Sequence, residues 1–314
     1  MGKKEVPRSG ADGDSGGLEH LMVAEAAQAL REIVASGKAG RNAASLCKAE
    51  SLIRAAGLLE SARCVLVVTG FYVPSAKAPE TDGPPGAAVL ARSLRRIGVW
   101  AKAVTDCLNL EPLAACCDIL GLDAPLCVQS PEEILSFEPD VLVFVERLGA
   151  AVDGCYYNMR GEDITRWTAN LDEAACLAMG KHIPVVAVGD GGNEAGMGCL
   201  KEELKRLMPN FARCLCRVRA DVVIPVDVSN WGAYALSGLL SVRTGRWLGH
   251  GPDEEGAMIE GMIKRGAVDG LSCLPTASVD GMPLEVHQET VARIQEVCER
   301  YMAKKGVGTP RAKL

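Results

Sequence analysis

Six short apolar runs, set apart by stretches of helical character, limit what this chain can fold into more than any other feature. They lie at Cys64–Thr69, Val99–Thr105, Pro125–Val128, Val141–Val145, Ile183–Val188 and Val222–Val226. Most are rich in Val, Leu and Ile and too short for a core helix, the pattern of a strand buried on both faces. Helical stretches follow several of them, at Gly86–Ile97, Leu171–Gly180 and Met197–Met208. Strands alternating with helices imply right-handed crossovers: an α/β fold, with a mainly parallel sheet and helices on both faces. Helical additions flank this core, at Leu18–Val34 and Ala43–Leu59 before it, and at Trp231–Arg243, Glu254–Arg265 and Leu284–Lys304 after it.

A length of 314 residues would allow two domains, but no repeat or long linker divides the chain. One α/β domain over 18–304 is therefore expected, between a polar, disordered tail at 1–17 and a basic tail at 305–314. Hydrophobic residues at 48% are enough for a full core, and only 4% aromatics argue against an all-β sandwich. A net charge of −6 offers no general attraction to nucleic acid or to an anionic membrane, so neither is an expected partner. The 13 cysteines include no CxxC pair, which points to reduced thiols inside the cell rather than to a zinc ribbon. Glu5, Asp12 and Asp14 disfavour a mitochondrial transit peptide, and no apolar segment marks a secretory signal. The compartment expected is cytoplasm or mitochondrial matrix, and a homo-oligomer is compatible with everything above.

The most informative stretch for function is Ile183–Gly198, IPVVAVGDGGNEAGMG. An apolar strand ends there in a glycine-rich loop carrying Asp190, Asn193 and Glu194. In open α/β sheets, sites are built at the carboxyl ends of the strands. The other runs end in the same manner: Thr69-Gly70-Phe71, Asp106, Glu146-Arg147 and Ser229-Asn230. Five polar strand ends on one edge favour a ligand cleft. Glu80 and Asp82 precede the Gly86 helix, whose N-terminus would suit an anion, although Asp82, Asp190 and Glu194 could equally serve as caps. The long segment Glu146–Thr165 holds Asn158 and Arg160. Arg160, Arg147, Lys77 and the Gly86 helix N-terminus are the candidate clamps for a carboxylate, with Arg160 favoured and Arg147 able to pair with Glu146 instead. The histidines His20, His182, His250 and His287 show no metal spacing and read as structural.

Taken in order, TGF (Thr69–Phe71), ETDGPPGA (Glu80–Ala87), Asp106, DGxYxNMRG (Asp153–Gly161), GDGGNEAGMG (Gly189–Gly198) and SNWGAYAL (Ser229–Leu236) resemble the D-glutamate cyclase family. The resemblance is to its C-terminal, cyclase-like domain and covers about Leu18 to Glu299. The hydro-lyase-like N-terminal domain of the mitochondrial animal members has no counterpart in this sequence, and Leu148 stands where the family pattern leads us to expect proline. The resemblance implies dehydration of D-glutamate, a dicarboxylate amino acid, to 5-oxo-D-proline. Such chemistry needs a base, an acid and an anion clamp. Glu80, Asp82, Asp190 and Glu194 would be the catalytic carboxylates. Thr69, Gly70, Gly86, Asp106, Glu146, Asn158, Arg160, Asn193, Ser229 and Asn230 would contact substrate. Asp82, Asp190 and Glu194 are also the oxygen ligands expected if Mg²⁺ or Mn²⁺ is used.

Other readings remain. The same cleft could bind an amino acid without turnover. GDGGNE resembles the Mg²⁺ loop of haloacid-dehalogenase phosphatases, but the only DxD, Asp12-Gly13-Asp14, follows no strand. A dinucleotide fingerprint fails because Glu194 occupies the third glycine position, where it would repel a pyrophosphate.

Overall fold

The computed structural model describes residues 15–40 and 42–307. Its centre is one six-stranded sheet: β1 (Cys64–Gly70), β2 (Trp100–Thr105), β3 (Leu126–Cys127), β4 (Val141–Arg147), β5 (Val185–Gly189) and β6 (Val222–Pro225). The spatial order is β3-β2-β1-β4-β5-β6, and every pairing is parallel. The chain therefore winds outward from β1 through β2 to β3, then returns to β4 on the other side of β1. The gap between β1 and β4 is the point where the winding reverses, and there the loops leaving the two strands diverge and open a crevice.

Alternate residues of each strand enter different cores, as the pleat requires. Val65 and Val67 join the larger one with Val143, Val186 and Ile224, whereas Leu66 and Val68 join the smaller one with Leu142, Phe144 and Ala187. The larger core is closed by α1 (Ser15–Val34), α2 (Ala49–Ser61), α3 (Pro84–Arg96), α4 (Leu110–Ile119), α8 (Ser229–Thr244), α9 (Pro252–Lys264) and α10 (Leu284–Val307). On the smaller core lie α5 (Pro131–Leu135), α6 (Glu173–Gly180) and α7 (Lys201–Leu207). Helix α8 is buried from Ser229 to Val242, wrapped by α1, α2, α3 and α10, which explains why it shows no polar face.

Two predicted helices are shorter than expected. The one over Ala43–Leu59 splits into a 3₁₀ turn at Asn42–Leu46, where Ser45 Oγ bonds back to the Asn42 carbonyl, and α2, with an extended Lys48 between them. The helix expected from Met197 starts only at Lys201, because Gly196 and Gly198 donate to the Val218 carbonyl and a side chain on Gly198 would meet the Arg217 carbonyl at 2.5 Å. The expected tails at 1–14 and 308–314 lie outside the described residues, while Ser15–Gly17 form the start of α1 and 305–307 the end of α10. Among the described residues no helix is long and apolar enough to cross a membrane.

Candidate functional site

The parallel sheet brings the ends of β1, β2, β4, β5 and β6 to one edge, so Thr69, Asp106, Glu146, Asp190 and Ser229 share it. At the winding reversal Thr69 pairs with Val145, but Gly70 pairs with Arg147, leaving Glu146 as an extra residue in its strand. Glu146 accordingly adopts φ +45, a left-handed conformation uncommon outside glycine, and its side chain lines the crevice. Strain of this kind persists where the surroundings hold it, and here Ser229 Oγ donates to Glu146 Oε2 at 2.5 Å. Burial, then the charges of Glu194, Asp82 and Glu80, push the Glu146 carboxyl well above the usual carboxylate range.

Two helices start here and cap each other. The Asp82 carboxylate, just before α3, accepts the N–H groups of Ser229 and Asn230 at the start of α8. Asn230 Oδ1 in turn accepts the N–H groups of Gly83 and Gly86 at the start of α3. Gly83 is required at this junction: at φ +98 its missing Cβ would lie 2.5 Å from Thr69 Oγ1 and 2.8 Å from Glu146 Cβ. The anion site expected at the Gly86 helix N-terminus is thus filled by Asn230. Asp82 is a cap, as the alternative reading allowed, but of α8 rather than of its own helix. Gly86 serves packing, since a Cβ there would press on Ala233 and Asn230 at about 3.0 Å.

The glycine-rich loop divides its polar residues by task. Glu194 turns inward and accepts the N–H groups of Asp190, Gly191 and Gly192, so it folds the loop rather than facing the crevice. Asp190 and Asn193 line the crevice; Asn193 Nδ2 donates to the Tyr157 carbonyl, and among the described residues its Oδ1 has no hydrogen-bond partner.

The crevice has a volume of about 120 Å³ and is lined by Glu80, Glu146, Asp190, Asn193, Asn158 and Arg160, with Phe71, Val73, Pro74 and Met159 as its apolar wall. Of the expected clamps only Arg160 lines it, exposed and donating to the Leu271 carbonyl. Lys77 is exposed outside it. Arg147 does not pair with Glu146. It is buried against Asp106 at 2.5 Å and the carbonyls of Gly70 and Ala169, which removes both Arg147 and Asp106 from substrate contact. Asn158 Oδ1 accepts the N–H groups of Arg160 and Glu162 and so shapes the turn that presents Arg160. Because the guanidinium is exposed to solvent, Arg160→Met is expected to raise KM about fivefold or less, the scale of a solvated ion pair; a hundredfold rise would mean the rim closes over it. His250 and His287 are buried in side-chain contacts with Glu255 and Trp231, away from the crevice lining.

One wall was missed from the sequence. Gly270, Leu271 and Asp280 line the crevice from a loop between α9 and α10, in a region expected to be mostly helical. Its signal was the pair of Asp-Gly turns at Asp269-Gly270 and Asp280-Gly281. Asp269 ties the loop together by accepting the N–H groups of Leu271, Ser272 and Gly281. Burial pushes its carboxyl up, but the donors from Ser272, Gly281 and Ser278 outweigh that and hold it below the usual range. Its contribution is therefore present above the unfolded value of about 3.9 and is lost as pH falls through the lower folded value. Asp269→Asn is expected to loosen this wall, raising KM with little change in kcat and increasing amide exchange across 270–281.

Oxygen atoms of Asp82, Glu146 and Asp190, all buried, lie within 4.8 Å of one another, a spacing suited to one cation. The cluster contains Glu146 and not Glu194, the third oxygen ligand expected if a cation is used. This chain matches the model of the family described as D-glutamate cyclase-like, C-terminal, over residues 30–295, which includes every residue of the crevice. The chain belongs to that family. It is 36% identical over 218 residues to the human protein named D-glutamate cyclase, mitochondrial; the aligned part covers 61% of this chain and 35% of that relative. This D-glutamate cyclase-like chain thus spans about a third of the human relative's length. Solved structures are more distant: exonuclease RecJ bound to manganese (12% identity, TM-score 0.37, 83% of this chain and 67% of that one) and an exopolyphosphatase-related protein from Bacteroides fragilis (10%, 0.38, 85% and 62%). Likenesses that slight do not bear on the chemistry of the crevice.

Proposed function

We propose that the crevice cyclises D-glutamate to 5-oxo-D-proline with loss of water, as a carbon–oxygen lyase. The amine nitrogen forms a bond to Cδ, one Cδ–O bond breaks, and the expelled oxygen leaves as water with the protons released by the amine. Glu80, a buried carboxylate on the lining, is the group we assign to take the amine proton and return it to the departing oxygen. Arg160 at the rim would meet a substrate carboxylate, and Phe71, Val73 and Met159 would exclude bulk water. Family membership over the whole crevice is the observation that supports this reading most, together with the name of the human relative. That name also makes the mitochondrion the first compartment to test, by fractionation.

The test is to incubate the purified chain with D- and L-glutamate and follow 5-oxoproline by chiral chromatography, with binding measured in parallel. Product from the D-enantiomer alone is expected. Saturable binding of D-glutamate without product would leave a binding module, and neither binding nor product would remove this assignment altogether.

A further inference from the structure

A dicarboxylate entering this crevice meets an electrostatic difficulty. Glu80, Glu146, Asp190 and Asp280 line it, Asp82 lies at its base beside Glu146 and Asp190, and among the described lining residues the one cation is Arg160, out at the exposed rim. Three buried carboxylates with oxygens within 4.8 Å of one another repel, beyond what their individual hydrogen bonds offset, and a cation among them would relieve that repulsion.

A separate observation concerns neutral oxygens. Asn193, a lining residue on the same loop as Asp190, is buried; its NH₂ is fixed on the Tyr157 carbonyl, and its Oδ1, beside Gly191, has no partner among the described residues. The buried Thr69 hydroxyl, packed at Gly83 next to Glu146 Cβ, likewise has none. Unsatisfied buried oxygens are uncommon and mark places where a ligand or ion belongs. Carboxylate, amide and hydroxyl oxygens, without sulfur or imidazole, make up the donor set of a hard cation.

We propose that Asp82, Glu146 and Asp190 hold one divalent cation of the Mg²⁺ or Mn²⁺ class, with Asn193 Oδ1 facing it. The three ligands come from three separated parts of the chain: the loop before α3, the bulged end of β4 and the loop after β5. The ion would supply the positive charge that a substrate carboxylate needs, and it leaves proton transfer to Glu80, outside the triad. The site rests on the cyclase reading only for what the ion does during turnover.

The experiment is a Mn²⁺ titration of the metal-stripped protein, followed by loss of the free-ion electron paramagnetic signal, without substrate. One site per chain is expected, displaced by excess Mg²⁺, and weakened at least tenfold in both Glu146→Gln and Asp190→Asn but retained in Glu80→Gln. Asp82 is left intact because it caps α8. Absence of a saturable site, or unchanged affinity in both triad variants, overturns the proposal. Should those variants fail to fold, the wild-type unfolding temperature decides: a rise with Mn²⁺ and none with K⁺ at equal ionic strength supports the site, and no rise overturns it. Mn²⁺ binding without 5-oxoproline formation would keep the metal and remove the cyclase reading. Undiminished turnover by the chelator-treated protein would keep the cyclase reading and overturn the ion's part in it.

Discussion

Asp190→Asn and Glu194→Gln, four residues apart in one loop, are expected to fail in different ways. Asp190→Asn should lower turnover about 10²-fold or more, the several kcal/mol of charge stabilisation lost when a carboxylate of the proposed cation cluster is removed, while the unfolding midpoint in urea hardly moves. Asn has the same shape, and removing one charge relieves the crowding with Asp82 and Glu146. Glu194→Gln should instead lower stability by about 2–3 kcal/mol, the scale of hydrogen bonds to a buried charge. Its side chain is 1% exposed, with Oε1 accepting from Asp190 and Gly191 and Oε2 from Gly192. Glutamine keeps one acceptor and turns an NH₂ toward backbone donors, so the loop loses its centre and turnover falls with the fold. The measurement is urea unfolding paired with initial rates. A Glu194→Gln protein as stable as the wild type, or an Asp190→Asn protein with full turnover, would reverse these assignments.

The sheet was legible because its signal is local. Runs such as CVLVVT and VLVFV must be buried on both faces, and helices between them force parallel strands whose carboxyl ends share an edge. Convergence of Thr69, Glu146, Asp190 and Ser229 follows from that topology alone. What each side chain does there did not, because it depends on partners distant in sequence. Asp82 and Asn230 cap one another's helices across 148 positions, and no local pattern specifies such an exchange. Glu146 reaches the crevice through a bulge that shows only in the register between β1 and β4. The wall around Leu271 comes from a loop in a region expected to be mostly helical, and its two Asp-Gly turns were the local sign that the chain would fold back.

Arg147 shows what that difference means for function. As a sequence it stood among the residues able to clamp a substrate carboxylate; in the structure it is 1% exposed and holds Asp106 at 2.5 Å, with the Gly70 carbonyl at 3.2 Å and the Ala169 carbonyl at 2.5 Å. It thus ties the ends of β1, β2 and β4 to the segment before α6, behind the crevice. Arg147→Met keeps much of the length but leaves Asp106 as a buried charge without its counter-ion and two carbonyls without donors. The expected loss is about 3–5 kcal/mol, a large part of the 5–15 kcal/mol that holds a typical domain together. Adding Asp106→Leu should recover most of the loss, since a buried pair replaced at both ends by apolar groups is often close to neutral. Chemical unfolding of the single and double variants measures both. In protein that remains folded, KM for D-glutamate should stay near that of the wild type. An Arg147→Met protein with unaltered stability and a KM raised a hundredfold would return Arg147 to the substrate and leave Asp106 without its structural role.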